Sequence, residues 1–599
     1  MMARLAALAL VCGVMPLHAT GTPANADAAA DARFKAIYDA EWAWRTGQAG
    51  ISTAGEPQPN GGRLDQVDAA SQQRRLAYWQ GVLKRLDGVD VTRLSPANQV
   101  NYAIYREQIG NFVAGQKFRA WQMPFNSDSA FWSDLGYVLG GDRLRTAADY
   151  QRYLDRLGQV PAYFDQQIAN MRAGLKRGFS VPRAVLDGRD ASIAAVAELK
   201  DPTQSSFYEP FKQLPASIPA DRAQALQGQA LRQIRDGVIP AYVKLLAFFR
   251  DEYVPQARRT LAAEALPDGK AFYRHQIREY TTLDLGPDEI HQIGLDQVAK
   301  IHAQMLEVMQ ETGFTGSFAD FLKFLRTDPQ FYAKTADELL MRSAWVAKQV
   351  DGQMPRFFGH LPRAHFTIKP VPADIAPYYT SGRGGADAYL VNTYDLKSRP
   401  LFNVPALTLH ESYPGHALQL ELAEEQHDQP AFRRNSYISA YGEGWGLYSE
   451  YLGNEMGIYH TPYERFGYLT YQMWRACRLV VDTGIHHLGW TRQQAIDYLT
   501  DNTALSAREI ANEVDRYISW PGQALSYELG YLKIREWRAK AEQALGAKFD
   551  LRHFHDTVLQ LGSVPLPVLQ QRIDRFIAEG GPEPDYGCDC AKAKGAAGH

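Results

Sequence analysis

The segment TLHESYPGHALQ, residues 408–419, holds two histidines and a glutamate of the kind that build a hydrolytic zinc site. Neutral imidazoles are common zinc ligands, and a glutamate beside the first ligand can take a proton from water. Zinc peptidases commonly carry this set as H-E-x-x-H on one helix. Here Glu411 directly follows His410, but His416 comes six residues after His410 instead of four.

This spacing is incompatible with an unbroken helix. Each helical residue advances about 100°, so six residues leave the second imidazole roughly 240° away around the helix axis. Pro414 cannot continue the helical hydrogen bonding, and Gly415 tolerates unusual backbone angles. We therefore expect a kink at this pair that restores the phase of the shorter motif, so that His410 and His416 can bind one metal ion.

A third ligand is expected on the next helix, in SYISAYGEGWGLYSEYLG, residues 436–453. Glu443 and Glu450 lie seven residues apart and therefore on one helix face. Glycines flank Glu443 and would let this helix approach another backbone closely, which offsets their cost in helix stability. We assign Glu443 to the metal and Glu450 to a hydrogen bond with a ligating histidine. Without the histidines, either glutamate would be interpreted as an ordinary solvated residue.

A hydrolase also needs a hydrogen-bond donor for the oxyanion that forms when water attacks a carbonyl. The segment RYISWPGQALSYELGYLKI, residues 516–534, offers Tyr527 and Tyr531, four apart on one helix face. A tyrosine pair of this kind is more often core packing than catalysis. His486, in DTGIHHLGW, is a further candidate for contact with substrate or intermediate, although a single histidine is more often structural.

Helical periodicity dominates the chain that must position these residues. After the helix-start signal GPDE at residues 286–289, apolar residues recur at three- and four-residue spacing, and similar patterns follow residues 34 and 95. The exception is about residues 357–405, where HFTIKPVP and ADAYLVNTY have β-type composition around a turn-rich loop. We predict a mainly α protein with a small β-sheet beside the histidine segment. The buried face predicted after residue 289 contains Ile290, Ile293, Val298, Ile301, Met305 and Val308.

Composition divides the chain into successive regions. Residues 1–19 have the basic start, short apolar run and small residues of a secretory signal peptide, with cleavage after Ala19 or as late as Ala26. We predict a helical N-terminal region over residues 27–280 and a helical catalytic region over residues 281–578 that contains the small sheet. Residues 579–599 form a polar tail that we expect to be disordered.

Charge and cysteine usage exclude other classes of protein. The 64 basic and 67 acidic residues are not arranged in a basic stripe, so nucleic acid is not an expected partner. Past the N-terminal segment no apolar stretch reaches the length of a membrane span. We expect Cys12 to be removed with the signal peptide, and Cys588 and Cys590 to be inert in the tail. The cysteines that remain are odd in number and do not form a disulfide framework.

Together, HESYPGH, GEGWGLYSE and WPGQALSYELGYL resemble the bacterial family called domain of unknown function 885, many of whose members are described as lipoproteins. The resemblance covers most of the chain and implies no activity by itself. More distantly, the order of these segments is similar to that in helical zinc peptidases: angiotensin-converting enzyme, thimet oligopeptidase and thermostable bacterial carboxypeptidases. That similarity implies a large helical ellipsoid with a deep cleft and a small β-sheet at its edge.

The similarity to these peptidases also implies roles for residues of this chain. His410, His416 and Glu443 correspond to ligands of Zn2+ and Glu411 to the base. Tyr527, or in second place Tyr531, corresponds to the tyrosine that stabilises the tetrahedral intermediate.

We therefore expect an exported zinc metallopeptidase, periplasmic or secreted and of carboxypeptidase or oligopeptidase type, that acts on oligopeptides. The strand around residues 386–392 is expected to pair with the substrate backbone, and Arg383 or Arg478 to bind a terminal carboxylate. Two alternatives stay open. One is a catalytically inactive helical protein that binds peptides, and the other is a zinc hydrolase of another amide, such as a cell-wall amidase.

Overall fold

The computed structural model describes residues 27–47, 63–127, 129–140, 144–373 and 376–584. Over these residues the protein is mainly α-helical with one small sheet, as predicted. The predicted signal peptide, Cys12, Cys588 and Cys590 lie outside the described residues. None of the helices in the described ranges combines the length and apolarity that crossing a bilayer requires.

The helices fall on either side of the boundary predicted near residue 280, and that division into regions stays a prediction. In chain order, α1 to α12 are Ala28–Gly47, Ala69–Asp87, Pro96–Phe118, Leu135–Leu139, Ala147–Leu157, Val160–Lys176, Ala191–Ala197, Glu209–Lys212, Ala220–Gln233, Ile239–Phe248, Val254–Gln256 and Gly269–Thr281. The next set, α13 to α26, comprises Pro287–Glu311, Phe318–Thr327, Ala336–Asp351, Met354–Phe357, Val404–Glu411, His416–Glu424, Ala431–Arg434, Ser439–Glu455, Pro462–His486, Arg492–Asn502, Ala507–Ser519, Ser526–Leu545, Leu551–Leu559 and Leu566–Ala578.

The helix α13 shows how the periodic sequence forms the core. It begins at Pro287 after the N-cap residue Gly286, as predicted. Of the predicted apolar face, five residues are buried and Ile293 is half-buried. α13 packs on α21, where a Cβ added to Gly294 would lie only 2.8 Å from the Leu479 Cβ, so the two helices cross closely. Since α21 is buried along most of its length, it is the central support of the C-terminal region.

A second close crossing joins α20 to α24, the helices that carry Glu443 and Tyr527. A Cβ added to Gly444 would lie 2.6 Å from the Gly530 Cα, so neither position has room for a side chain. This confirms the prediction that a glycine beside Glu443 permits close approach to another backbone.

The sheet contains β1 (Thr367–Pro370), β2 (Gly382–Gly384) and β3 (Ala388–Val391) in the order β1-β3-β2. β3 pairs in parallel with β1 and antiparallel with β2. The two segments of β-type composition therefore contain strands as predicted, and the loop between them contributes the third. Because β3 has a neighbour on each side, the prediction that residues 386–392 pair with substrate is wrong. β1 and β2 are the two edge strands, and β2 packs on α17.

Part of the predicted tail continues the folded chain. Among residues 579–584, the N–H of Gly581 donates a hydrogen bond to the carbonyl of Phe576. This backbone bond closes the end of α26, and the expectation that the tail is disordered stays a prediction. Residues 585–599 of the tail lie outside the described part of the chain.

Candidate metal centre

The two histidines lie on separate helices, because one helix ends and another begins between them. α17 ends at Glu411, residues 412–415 form a turn, and α18 begins at His416. Instead of the expected kink, the helix is fully interrupted, and the second helix starts in a new direction. Trp445 Nε1 donates a 2.8 Å hydrogen bond to the carbonyl of Pro414 and ties the turn to α20. A Cβ on Gly415 would lie 2.0 Å from the His410 carbonyl oxygen, so this turn accepts only glycine there.

The helix α20 lies against His410 and orients its ring. Glu450 Oε1 is 2.8 Å from His410 Nδ1, which confirms the predicted contact between Glu450 and a histidine of the pair. The same carboxylate oxygen lies 3.3 Å from Arg475 Nη2. Gly446 provides the space for the imidazole, because a Cβ there would lie 2.7 Å from His410 Cε1. With Nδ1 engaged, His410 presents Nε2 to the site.

Glu443 brings the three predicted ligands into one group. Its Oε2 atom lies 3.5 Å from His410 Nε2 and 3.2 Å from His416 Nε2. One donor atom of each residue lies within 4.8 Å of the other two. Two donors that each lie about 2.1 Å from a zinc ion at a tetrahedral angle are about 3.4 Å apart, so these separations suit a shared zinc ion. The donor set of two imidazoles and a carboxylate is also one that zinc prefers.

The three side chains are nearly enclosed, which strengthens their mutual interaction. His410, His416 and Glu443 are 3%, 10% and 14% exposed. Burial alone would lower the pKa of His410, but hydrogen bonds with Glu443 and Glu450 raise it to about 9. Burial alone would raise the pKa of Glu443, but the two histidines hold it well below its usual range. These interactions favour positive charge between the two imidazoles and Glu443, which is where a cation would bind.

Glu411 lies beside this group, under the edge of the sheet. Its Oε2 accepts a 2.5 Å hydrogen bond from the N–H of Gly384 in β2. A Cβ on Gly384 would lie 2.1 Å from the Glu411 carbonyl oxygen and 2.9 Å from His416 Cβ. The strand can therefore rest directly on the histidine segment only because residue 384 is glycine.

Tyr437 contacts the site, although the sequence did not point to it. Its hydroxyl donates a 3.2 Å hydrogen bond to Glu443 Oε1, while Oε2 of the same carboxylate faces the histidines. Tyr437 precedes α20, which begins at Ser439, so helical spacing gave no reason to select it. The sequence indicated Tyr437 only in that it lies in the same segment as Glu443.

Tyr527 and Tyr531 share a face of α24 as predicted, but their hydroxyl groups have different surroundings. The Tyr527 ring lies nearly parallel to the His410 ring, at 18° with centroids 6.5 Å apart. Its Oη accepts 3.5 Å hydrogen bonds from Arg516 and Gln523. The Tyr531 Oη instead accepts a 2.9 Å hydrogen bond from Arg535. Of these two phenols, Tyr527 is the one that lies beside His410.

His486 is not brought to the metal-ligand group. Its Nδ1 accepts a hydrogen bond from the N–H of Ala263 at 3.1 Å, and its Nε2 lies 2.8 Å from the Tyr517 carbonyl. Burial lowers the pKa of this fully enclosed imidazole to about 3. Both ring nitrogens join α21 to neighbouring segments. His486 is therefore a structural residue and not one of the candidate catalytic residues.

Two solved structures are similar to this chain over most of its length. A "putative lipoprotein" from Colwellia psychrerythraea is 28% identical with a TM-score of 0.82, and the match covers 92% of this chain and 98% of that one. A "putative lipoprotein of unknown function" from Shewanella oneidensis is 18% identical with a TM-score of 0.68, covering 91% and 99%. At that identity the second similarity shows the fold alone.

A third solved structure is only distantly similar to this chain. An M32 carboxypeptidase from Deinococcus radiodurans R1 aligns over 85% of this chain and 99% of its own, at 11% identity. Its TM-score of 0.27 means that the two folds superpose poorly. No match was found among curated proteins.

A family match covers most of the sequence. Residues 47–573 match the family described as "Bacterial protein of unknown function (DUF885)". This agrees with the resemblance carried by the histidine, glycine-glutamate and tyrosine segments. The chain therefore belongs to the bacterial DUF885 family.

Proposed function

We propose that this protein is an exported zinc metallopeptidase that hydrolyses oligopeptides. One observation carries the proposal: the donor atoms of His410, His416 and Glu443 lie within 4.8 Å of one another. Glu411 is close enough to His410 to contribute to the rise in its pKa. Acidic clusters on a surface often form without a metal, but this group is nearly enclosed. It also has a carboxylate, Glu450, that orients the first imidazole.

The chemistry assigned to the site is the hydrolysis of a peptide bond by water. Zinc held by His410, His416 and Glu443 would supply a Lewis acid, which would polarise the carbonyl and make water a better nucleophile at neutral pH. Glu411 accepts a proton from the water as its oxygen attacks the carbonyl carbon, and donates that proton to the nitrogen as the C–N bond breaks. The N–H of Gly384 holds Glu411 Oε2 for this transfer.

Two phenols are assigned different roles around this reaction. Tyr527 donates to the oxyanion, since its Oη accepts hydrogen bonds from Arg516 and Gln523 and its own proton is available. Tyr437 holds Glu443 Oε1, which keeps Oε2 turned to the histidines. We leave Tyr531 out because, of these two phenols, it is the Tyr527 ring that lies against the His410 ring.

The sheet supplies a place for the substrate backbone. The edge strand β2 lies over Glu411, in contact through the Gly384 N–H. An extended peptide that pairs with this edge places a carbonyl beside the metal ligands. This assigns to β2 the role that the sequence suggested for residues 386–392.

Export is supported by two observations. The first 19 residues have the pattern of a secretory signal peptide. The similar protein from Colwellia psychrerythraea is itself described as a "putative lipoprotein". We therefore propose that the protein acts in the cell envelope or outside the cell.

Metal content and peptide hydrolysis test the proposal together. The purified protein should contain about one zinc per chain. His416→Ala and Glu443→Gln should lose the metal while remaining folded, and Glu411→Gln should keep the metal but lose hydrolysis of peptides. His427→Ala is the matched control, because His427 is exposed and lies outside the metal-ligand group.

The outcomes separate the alternatives. A protein that takes up no zinc even when incubated with it contradicts the proposal and favours an inactive peptide-binding protein. A protein that binds zinc and cleaves cell-wall amides but no peptide would be an amidase instead. Loss of activity in His427→Ala equal to that in His416→Ala would show that the effect is not specific to the proposed ligands.

A further inference from the structure

Arg475, on α21, contacts the carboxylate that orients His410. Its Nη2 atom lies 3.3 Å from Glu450 Oε1, and the same oxygen lies 2.8 Å from His410 Nδ1. A path of three side chains, a guanidinium, a carboxylate and an imidazole, therefore leads from α21 to the candidate metal centre. Since α21 is buried along most of its length, this path begins at a well-packed part of the fold.

Glu450 depends on few contacts for a buried carboxylate. Its side chain is 0% exposed, so bulk water does not solvate its charge. Among the described residues, Oε1 lies against His410 and Arg475, while Oε2 has no hydrogen-bond partner. A carboxylate moved from water into the interior is destabilised unless it is paired. Arg475 supplies the pairing with a permanently charged group.

Aromatic rings hold the guanidinium of Arg475 in place. Its central carbon lies 4.1 Å from the centroid of the Trp474 ring and 4.7 Å from that of Tyr471, with the Tyr527 ring at 5.9 Å. A guanidinium packs favourably on aromatic faces at such distances. Arg475 is also only 3% exposed, so a substrate does not reach it. Its surroundings therefore suit the support of a neighbouring group and not the binding of a ligand.

Two other carboxyl groups lie near Arg475 but do not pair with it. Burial raises the pKa of both Glu528 and Glu509, to about 8 for Glu528, and the charge of Arg475 opposes this rise. Glu528 is therefore mostly neutral near pH 7. Glu509 interacts more strongly with Arg399 than with Arg475. Within the described ranges, the carboxylate that comes within 4.0 Å of the Arg475 guanidinium is that of Glu450.

We propose that Arg475 is a positioning residue of the metal centre. It holds the Glu450 carboxylate, and through Glu450 it keeps the His410 imidazole turned with Nε2 toward the other ligands. The inference rests on the proposed function, because it concerns the same zinc site. Hydrogen-bond partners of metal ligands influence metal affinity, and Arg475 secures one such partner. Because Arg475 contacts none of the three ligands, its effect on the metal must pass through Glu450.

The zinc affinity of four full-length proteins tests this path. They are the wild type, Arg475→Gln, Glu450→Gln and the double variant, each titrated without metal against a chromogenic zinc chelator. Arg475→Gln should lower zinc affinity about 10-fold, and Glu450→Gln should lower it at least as much. Since Arg475 acts through Glu450, the double variant should bind zinc no more weakly than Glu450→Gln alone. Arg475→Lys keeps the positive charge and should lose only about 3-fold.

Arg45→Gln is the matched control for the loss of a buried guanidinium. Arg45 is 1% exposed, pairs with Glu41 at 2.6 Å and lies 4.8 Å from the centroid of the Phe112 ring. This control should lower the free energy of unfolding in urea, as Arg475→Gln does, but leave zinc affinity unchanged.

Two results would overturn the inference. One is wild-type zinc affinity in a folded Arg475→Gln protein, and the other is a pair of losses that add fully in the double variant. If Arg475→Gln does not fold, the comparison is made with Arg475→Lys, which should lose affinity in the wild-type background but not in the Glu450→Gln background. The same loss in both backgrounds, or no loss in either, would overturn the inference.

The result is separable from the outcome for the proposed function. Zinc binding that depends on Arg475, in a protein that never hydrolyses peptides, would keep the positioning role and remove the peptidase. Hydrolysis of peptides by a zinc-containing wild type whose zinc affinity does not depend on Arg475 would keep the peptidase and overturn the inference. A protein that binds no zinc would overturn both.

Discussion

Gly446→Ala should disable the metal site although alanine is the better helix former. Gly446 lies inside α20, where alanine is favoured over glycine by about 1 kcal/mol. An added Cβ, however, would lie 2.7 Å from Cε1 and 2.9 Å from Nε2 of His410. Ordinary contacts begin near 3.4 Å, so the imidazole must move by roughly 0.7 Å in a closely packed interior.

That displacement is large on the scale of metal coordination. Zinc–ligand distances vary by only about 0.2 Å, so a shift several times larger removes His410 from the coordination geometry. The movement also strains the 2.8 Å hydrogen bond from His410 Nδ1 to Glu450. Loss of such a supporting bond alone commonly costs about 10- to 100-fold in metal affinity. We therefore expect zinc affinity to fall by at least about 10-fold.

Competition titration of the metal-free protein against a chromogenic zinc chelator measures this affinity. The matched control is Gly110→Ala, because Gly110 lies inside α3 and a Cβ there meets no atom within 4 Å. Gly110→Ala should leave zinc affinity unchanged and raise the free energy of unfolding in urea by about 0.5–1 kcal/mol. Zinc affinity of Gly446→Ala equal to that of the wild type would refute the reasoning.

Three further substitutions test separate contacts. Glu450→Gln should weaken zinc binding about 10- to 100-fold in the same titration, because the charged partner of His410 is lost; unchanged affinity would contradict its orienting role. Tyr437→Phe should lower zinc affinity about 3- to 10-fold, because Glu443 Oε1 loses its hydrogen bond, and should change urea unfolding little. Unaltered zinc affinity would contradict the role of Tyr437. Burial raises the pKa of Asp482 to about 7, although hydrogen bonds from Tyr273 and Gly522 lower it, whereas in the unfolded chain it titrates near about 4. Between about pH 4 and pH 7, Asp482 is protonated in the folded state and ionised in the unfolded chain. The free energy of unfolding therefore falls as pH rises through this range. Asp482→Asn should remove that part of the decline, on the order of 3 kcal/mol, from urea unfolding compared at pH 4.5 and pH 8; an identical pH dependence would show that Asp482 does not titrate there.

The sequence predicted that His410, His416 and Glu443 lie together, because this cluster depends on local rules. A proline–glycine pair must interrupt a helix, and two histidines on either side of a break can meet only if the second helix restarts nearby. Glu443 and Glu450 follow from helical spacing, and both were placed on the correct helix face. Helices such as α13 and the strands β1 and β3 follow from periodicity in the same way.

Features that depend on which neighbours a residue meets in the folded chain were not predictable from residue spacing in the sequence. The pattern that suggested His486 says nothing about which neighbours its ring meets, and the ring proved to bond backbone groups of Ala263 and Tyr517. Tyr437 lies before a helix, where no periodicity applies. β2 consists of three residues with two glycines, a composition typical of a turn, and pairs as a strand only because β3 and α17 offer it a place.

The metal-ligand group depends on residues that have no side chain as much as on its ligands. His410 fits because residue 446 lacks a Cβ, the turn before His416 closes because residue 415 lacks one, and β2 reaches Glu411 because residue 384 lacks one. Each of these positions would place a methyl group within 3 Å of the histidine segment. The unusual spacing of His410 and His416 is therefore compatible with a common metal only together with glycines on α20 and β2. This explains why HESYPGH and GEGWG are informative as a pair, whereas the histidine spacing alone argues against a metal site.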